Sequence, residues 1–150
     1  MTMQQTPLLM SRIVGRGAQV DPQEEIVTLM AEGTHRQTLK TTWQRANQLA
    51  GALAALGIKP GDRVASFMWN NYRHLELYQA VPSMGAVLHT LNIRLGSTDL
   101  DYIINHAQDK VIFIDEDLLP LLDPLLDKIP SVQKLVICRH GEGGETTFAD

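Results

Sequence analysis

From residue 61 onward the chain alternates short apolar runs with longer stretches of helical spacing. The runs at 63–68, 86–91, 111–114 and 134–138 read as strands. Between the first two, Leu75, Tyr78 and Val81 recur at intervals of three, which predicts a helix with one apolar face that Gly85 stops. Asn70 or Asn71 supplies its cap. Ser97 or Thr98 caps the next helix, expected to bury Leu100, Ile103, Ile104 and Ala107. Pro120 and Pro124 punctuate residues 117–128, so the third helix is expected to be short or kinked. Strand, helix, strand, helix, strand, helix, strand is the order of a parallel sheet with right-handed crossovers and helices on both faces. The run at 86–91 is interrupted only by His89 and Thr90, and a strand apolar on both sides is expected in the middle of such a sheet.

The first sixty residues read differently. Residues 1–20 predict a short helical or irregular lead-in, because Gly15 and Gly17 interrupt the pattern. Residues 25–31 and 36–39 predict two strands of a hairpin around Glu32-Gly33-Thr34-His35. Thr41-Thr42-Trp43-Gln44 has the form of a capping box. It opens a helix to about Leu56, with Ala46, Leu49, Leu53 and Leu56 as its apolar stripe and Gly57 as its stop. Lys59-Pro60-Gly61-Asp62 predicts a turn. The glycine-rich, acidic stretch 140–150 reads as a loop. The fold class is therefore α/β: an N-terminal hairpin and helix, then a mostly parallel sheet with helices on both faces.

Composition narrows function by exclusion. A 150-residue chain that is 44% hydrophobic can bury a core of its own. A net charge of −4 gives no field suited to nucleic acid. No apolar run has the length of a membrane span, and the first residues lack a basic cluster followed by an apolar core, so no signal peptide is expected. The single cysteine, Cys138, reads as a small buried hydrophobe; one cysteine forms no internal disulfide, consistent with a cytoplasmic location.

Candidate chemistry is sparse. None of the five histidines has a partner at metal-ligand spacing, and His74-Leu75-Glu76 lacks the cysteine half of a zinc deaminase signature. Gly15-Arg16-Gly17 lacks the third glycine of a nucleotide loop and the strand before it. Asp115-Glu116-Asp117 follows a strand, as in a phosphoacceptor pocket. Met68-Trp69-Asn70 supplies no acidic pair to complete one, so a helix start favoured by the dipole is the plainer reading. There is no serine nucleophile elbow and no lysine-bearing phosphate loop. His89 reads as a hydrogen-bonded residue of a buried strand before it reads as a base. Arg94 leaves the carboxyl end of the 86–91 strand, where open α/β sheets place ligand loops; its guanidinium can fork onto phosphate or be a solvated, salt-bridged loop residue.

The ordered motifs resemble a known family. Ile58-Lys59-Pro60-Gly61-Asp62-Arg63-Val64-Ala65, Asn70-Asn71, Gly85-Ala86-Val87, His89-Thr90-Leu91-Asn92-Ile93-Arg94-Leu95 and Tyr102-Ile103-Ile104-Asn105-His106-Ala107 are similar to the N-terminal region of AMP-forming acyl-CoA synthetases. Val87-Leu88-His89-Thr90 with Asn105-His106-Ala107 looks closest to the medium- and long-chain fatty acyl branch. The resemblance implies a ligase that activates a carboxylic acid with ATP to acyl-AMP and passes the acyl group to CoA, with Mg2+ assisting the first step. It implies fatty acid, ATP and CoA as partners; a cytoplasmic location is expected, and a homodimer is one open oligomeric state. It makes residues 1–150 the N-terminal part of the AMP-binding domain, with the rest of that domain and the C-terminal lid outside this chain. The family's phosphate loop, adenine motif, ribose aspartate and C-terminal lysine are absent from these residues. The chain alone is therefore expected to bind none of these cofactors and to be inactive. Arg94 matches the arginine of the family's Asn-Pro-Arg-Leu, which lies near the nucleotide phosphates of CoA, and is the CoA-binding candidate. Ile93 replaces the proline and is expected to loosen that loop. His89 is placed near the acyl or CoA channel without a catalytic role. The alternative is a non-catalytic binding or dimerisation module that keeps this scaffold.

Overall fold

A computed structural model describes residues 7–31 and 33–139. The hairpin residue Glu32 and the stretch 140–150, expected to be a loop, lie outside them. The chain opens with helix α1 (Met10–Val20), which continues through Gly15 and Gly17. Gly15 is buried here because a Cβ would come within 3.3 Å of the Trp43 indole. Strands β1 (Glu25–Met30) and β2 (Gly33–Thr38) form the antiparallel hairpin, in register from Glu25↔Thr38 to Met30↔Gly33. Helix α2 (Leu39–Ala55) begins two residues before the expected capping box. Thr38, not Thr41, is its cap, and the Thr38 hydroxyl accepts from Thr41 N at 3.1 Å. Ala46 and Leu53 are buried as the stripe requires, whereas Leu56 lies past the helix end and is 45% exposed.

The main sheet is built from β3 (Arg63–Phe67), β4 (Val87–Thr90), β5 (Val111–Asp115) and β6 (Lys134–Cys138), all parallel, in the order β4-β3-β5-β6. This corrects the placement of residues 86–91. β4 is an edge strand of the described sheet and Val87 is 49% exposed; the centre belongs to β3 and β5, whose residues 64–67 and 111–115 are buried. An apolar run records hydrophobicity but not neighbours, and an edge strand covered by a helix tolerates the same composition.

Helix α3 (Tyr72–Ser83) follows β3, α4 (Ser97–Ala107) follows β4, and a 3₁₀ turn (Glu116–Leu118), α5 (Leu119–Leu122) and a second 3₁₀ segment (Asp123–Lys128) bridge β5 to β6. The proline-punctuated stretch is broken as expected. Helices cover both faces. Leu53 of α2 and Leu77 and Val81 of α3 pack with Val64, Val111, Phe113 and Val136 on one side. On the other, Leu100 and Ile104 of α4 and Leu122 of α5 pack with Ala65, Phe67, Ile112 and Ile114.

Two further expectations change. The α3 face is not Leu75-Tyr78-Val81: Tyr78 is 46% exposed, and the buried set includes Arg73, His74, Glu76 and Gln79 beside Leu77, Ala80 and Val81. The helix is enclosed on most sides, so its polar residues enter the interior and a single apolar stripe does not describe it. At α4, Gly96 occupies the cap position with no side-chain bond, and both Ser97 and Thr98 are exposed. Its other end turns through Gln108 in the left-handed region (φ 55°), where the Arg63 guanidinium donates to the carbonyls of Ala107 (2.6 Å) and Gln108 (3.4 Å). That cationic cap satisfies carbonyls a helix end leaves open.

Candidate functional site

Parallel strands send their loops out at one edge, and here the exits of β3 and β5 are tied together. Asp115, the last residue of β5, is fully buried; its Oδ2 accepts from Trp69 N (2.9 Å) and from Asn71 Nδ2 (3.0 Å). Asn71 in turn caps α3, its Oδ1 accepting from His74 N at 3.0 Å. Of the two candidate caps, Asn71 is the one used. Two residues on, Asp117 Oδ2 accepts from the Trp69 indole Nε1 at 2.8 Å. The acidic triplet therefore does two jobs: Glu116 and Asp117 open a 3₁₀ turn, as the dipole argument expects, while Asp115 turns inward to organise the neighbouring loop.

His74 completes the arrangement. Its Nδ1 donates to the Trp69 carbonyl (3.2 Å), a group that can only accept, which leaves Nε2 to accept from the Ser66 hydroxyl (2.9 Å). Burial pushes the His74 pKa below its ordinary value, opposed by the Trp69 carbonyl and the Asp115 charge. The imidazole is neutral and fully bonded, a structural histidine and not half of a zinc motif. Glu76, buried on the same helix, accepts from Arg45 Nε (2.6 Å) and Nη2 (3.2 Å) and from Gln37 Nε2 (3.1 Å). The hairpin thus joins α2 and α3 through side chains, reinforced by His35 stacked on Tyr72 with ring centres 3.8 Å apart. No local spacing announced these contacts, because Glu76 lies 31 residues from Arg45 and 39 from Gln37.

The hairpin tip and the β3 exit enclose a cleft of about 380 Å³ lined by Leu29, Met30, Ala31, Trp69, Asn70, Asn71 and Asp117. Its walls are mostly apolar.

The two residues singled out from the sequence fall elsewhere. Arg94 sits in the turn after β4 and is exposed, with no ion pair among the described residues. The turn is tighter than the loss of proline implied. Asn92 Oδ1 accepts from Arg94 N (3.0 Å) and Asn92 O from Leu95 N (3.1 Å), and Ile93 and Leu95 are packed against the α4-side core. The guanidinium is thus presented to solvent from an anchored loop. His89 is half-buried and bonds through Nδ1 to Asp109 Oδ2 at 2.8 Å. Asp109 precedes β5, so the pair draws the imidazole toward the amino end of the sheet, away from the ligand loops. The carboxyl of Asp109 is fully enclosed, and burial pushes its pKa up against the opposing His89 bond. Cys138 is the buried hydrophobe expected, its thiol pushed up to about 12 chiefly by burial. Among the described residues no group of three His, Cys, Asp or Glu could hold a metal, and no helix is long and apolar enough to cross a membrane.

Comparison with known proteins supplies what the geometry does not. The AMP-binding enzyme family matches residues 15–148. The chain belongs to that family. It is 44% identical over 137 residues to the long-chain-fatty-acid–CoA ligase of Thermus thermophilus, covering 91% of this chain and 25% of the relative. It is 37% identical over 139 residues to the medium-chain-fatty-acid–CoA ligase of Ectopseudomonas oleovorans, covering 92% and 26%. Among solved structures, the fatty acyl CoA synthetase of Mycobacterium tuberculosis superposes with a TM-score of 0.78 at 26% identity, over 86% of this chain and 26% of that one. The inhibitor-bound N-terminal domain of FACL13 from the same organism gives 0.79 at 26%, over 86% and 33%. The chain therefore spans about a quarter of the length of the curated relatives it matches, and corresponds to their N-terminal portion. The α/β fold read from the alternation of elements agrees with these structures.

Proposed function

We propose that this chain is the N-terminal part of the AMP-binding domain of a fatty acyl-CoA ligase. The whole protein, in this reading, activates a fatty acid with ATP to acyl-AMP and transfers the acyl group to CoA. The family match across residues 15–148, together with 37–44% identity to two fatty-acid–CoA ligases, carries the proposal. Magnesium, when bound to ATP, neutralises phosphate charge. No magnesium ligand is assigned among the described residues.

The described residues contribute scaffold. They bury one face of a parallel sheet under α2 and α3 and the other under α4 and α5, and hold the exits of β3, β4 and β5. Arg94 is the residue proposed to meet CoA: an exposed guanidinium on an anchored loop is suited to a phosphate. Arg94→Ala in the longer enzyme should raise the KM for CoA while leaving adenylation, followed as acid-dependent pyrophosphate exchange, at its original rate. An unchanged CoA KM removes the assignment. The 150-residue chain by itself should release no pyrophosphate from ATP in the presence of fatty acid. Measurable release would overturn the expectation that these residues carry no adenylation machinery of their own. The proposal places the enzyme in the cytoplasm, where acid, ATP and CoA meet. It includes a homodimer, supported by exposed apolar residues on α1 and β1 such as Ile13, Val20 and Leu29, and tested by sedimentation of the longer protein.

A further inference from the structure

Arg73, in the first turn of α3, is only 7% exposed, yet its Nε and Nη1 are buried without a hydrogen-bond partner. A guanidinium stays charged throughout the range in which proteins fold, and its donors are costly to strip of water without replacement. One need is met: the guanidinium carbon lies over the Tyr72 ring, 5.0 Å from its centre, within reach of a cation–π contact. A ring face offers these N–H donors no oxygen acceptor. The carboxylates of this region have other partners, Glu76 with Arg45 and Gln37, Asp115 with Trp69 and Asn71. Asn71, two residues before Arg73, bonds to Asp115, whose register partner is Cys138, so the start of α3 lies beside the carboxyl end of β6, the strand with β5 as its sole neighbour in the described sheet.

We propose that Arg73 anchors a later segment of the same polypeptide, whose oxygen acceptors dock between α3 and the β6 end of the sheet. This rests on the reading that the whole protein is several times longer than the chain, as its relatives are. The partner is then intramolecular and the contact buried, which explains why a residue type that is rarely enclosed sits here without acceptors.

The test compares thermal unfolding of Arg73→Met in two settings. In the 150-residue chain the change should leave Tm unchanged or raise it, because methionine keeps packing on Tyr72 while the uncompensated charge disappears. In the longer protein from the same gene it should lower Tm by about 5 °C or more, since a docked acceptor loses its donor, with Arg73→Lys intermediate. If the longer Arg73→Met protein does not fold, limited proteolysis of Arg73→Lys decides. Docking predicts new cleavage beyond residue 150 with residues 7–139 still protected, and cleavage spread evenly over both parts overturns it. A longer protein whose Tm is unchanged or raised by Arg73→Met overturns the docking alone. A gene product of only 16.7 kDa overturns both the docking and the reading of a longer ligase.

Discussion

Asp115 and Trp69 stand on neighbouring strand exits, 46 residues apart in sequence, and the carboxylate of the first accepts the main-chain N–H of the second at 2.9 Å. Because Phe67 and Ile114 are paired in register, the two loops begin side by side, and a short side chain suffices to join them. The same Oδ2 takes the Asn71 amide, so one buried oxygen sets both the backbone of the β3 exit and the cap of α3.

Asp115→Ala should therefore cost about 3 kcal/mol of folding stability, the scale of a charged acceptor withdrawn from buried donors. Asp115→Asn, which retains one carbonyl acceptor, should cost less. In a Trp43→Phe background, emission from Trp69 reports the loop, and Asp115→Ala should shift it to the red as the indole gains water. Equal urea midpoints for the alanine variant and the parent would refute the tie.

Such ties explain which parts of the fold the sequence made legible. β5 and β6 each carry four consecutive apolar residues behind a lysine, 111–114 and 135–138, and the run alone located them. β4 is also apolar but for His89 and Thr90, and its place at the edge of the described sheet depends on strand order, which no local pattern carries. The buried polar residues of α3 were illegible for a related reason. His74 is explained by Ser66 and Trp69, and Glu76 by Arg45 and Gln37; until those partners are known, each looks like a surface residue or a fragment of a metal motif. Arg94 was legible as a loop residue at a strand exit, but the Asn92 turn that holds it was not, because it forms without a proline.

His74 makes stability depend on pH with a definite sign. Its folded pKa lies below the ordinary value of 6.5, so between the two values the unfolded chain binds more protons than the folded one. The contribution of the neutral imidazole is fully present above pH 6.5 and is lost as pH falls from there toward the folded value. Urea midpoints measured from pH 8 to pH 5 should decline below 6.5. His74→Gln, which keeps an amide acceptor for Ser66 and a donor for Trp69, should flatten that decline while lowering stability at pH 8 by about 1 kcal/mol. A parent and a variant with parallel pH profiles would show that other groups govern the acid limb.

Gly85 provides the last test, because two independent constraints meet there. Its φ of 85° lies in the left-handed region, and a Cβ at this position would sit 3.3 Å from the Pro60 Cβ. The close approach is built in: Gly61 N donates to the Gly85 carbonyl at 2.8 Å, so the Lys59–Asp62 turn is held against the end of α3, and Val87 N reaches Asp62 O at 2.8 Å as β4 begins. Gly85→Ala carries a backbone penalty of about 1–2 kcal/mol, and a proline ring on the far side leaves little room to relax. The expected loss is about 2 kcal/mol. Gly57 has a similar φ of 88° and no atom within 4 Å of its would-be Cβ, so Gly57→Ala isolates the backbone contribution alone. Chemical denaturation of the two variants should therefore rank Gly85→Ala below Gly57→Ala, the gap measuring the contact with Pro60. Equal losses would mean that the turn shifts to admit the methyl group and that packing against Pro60 does not constrain this junction.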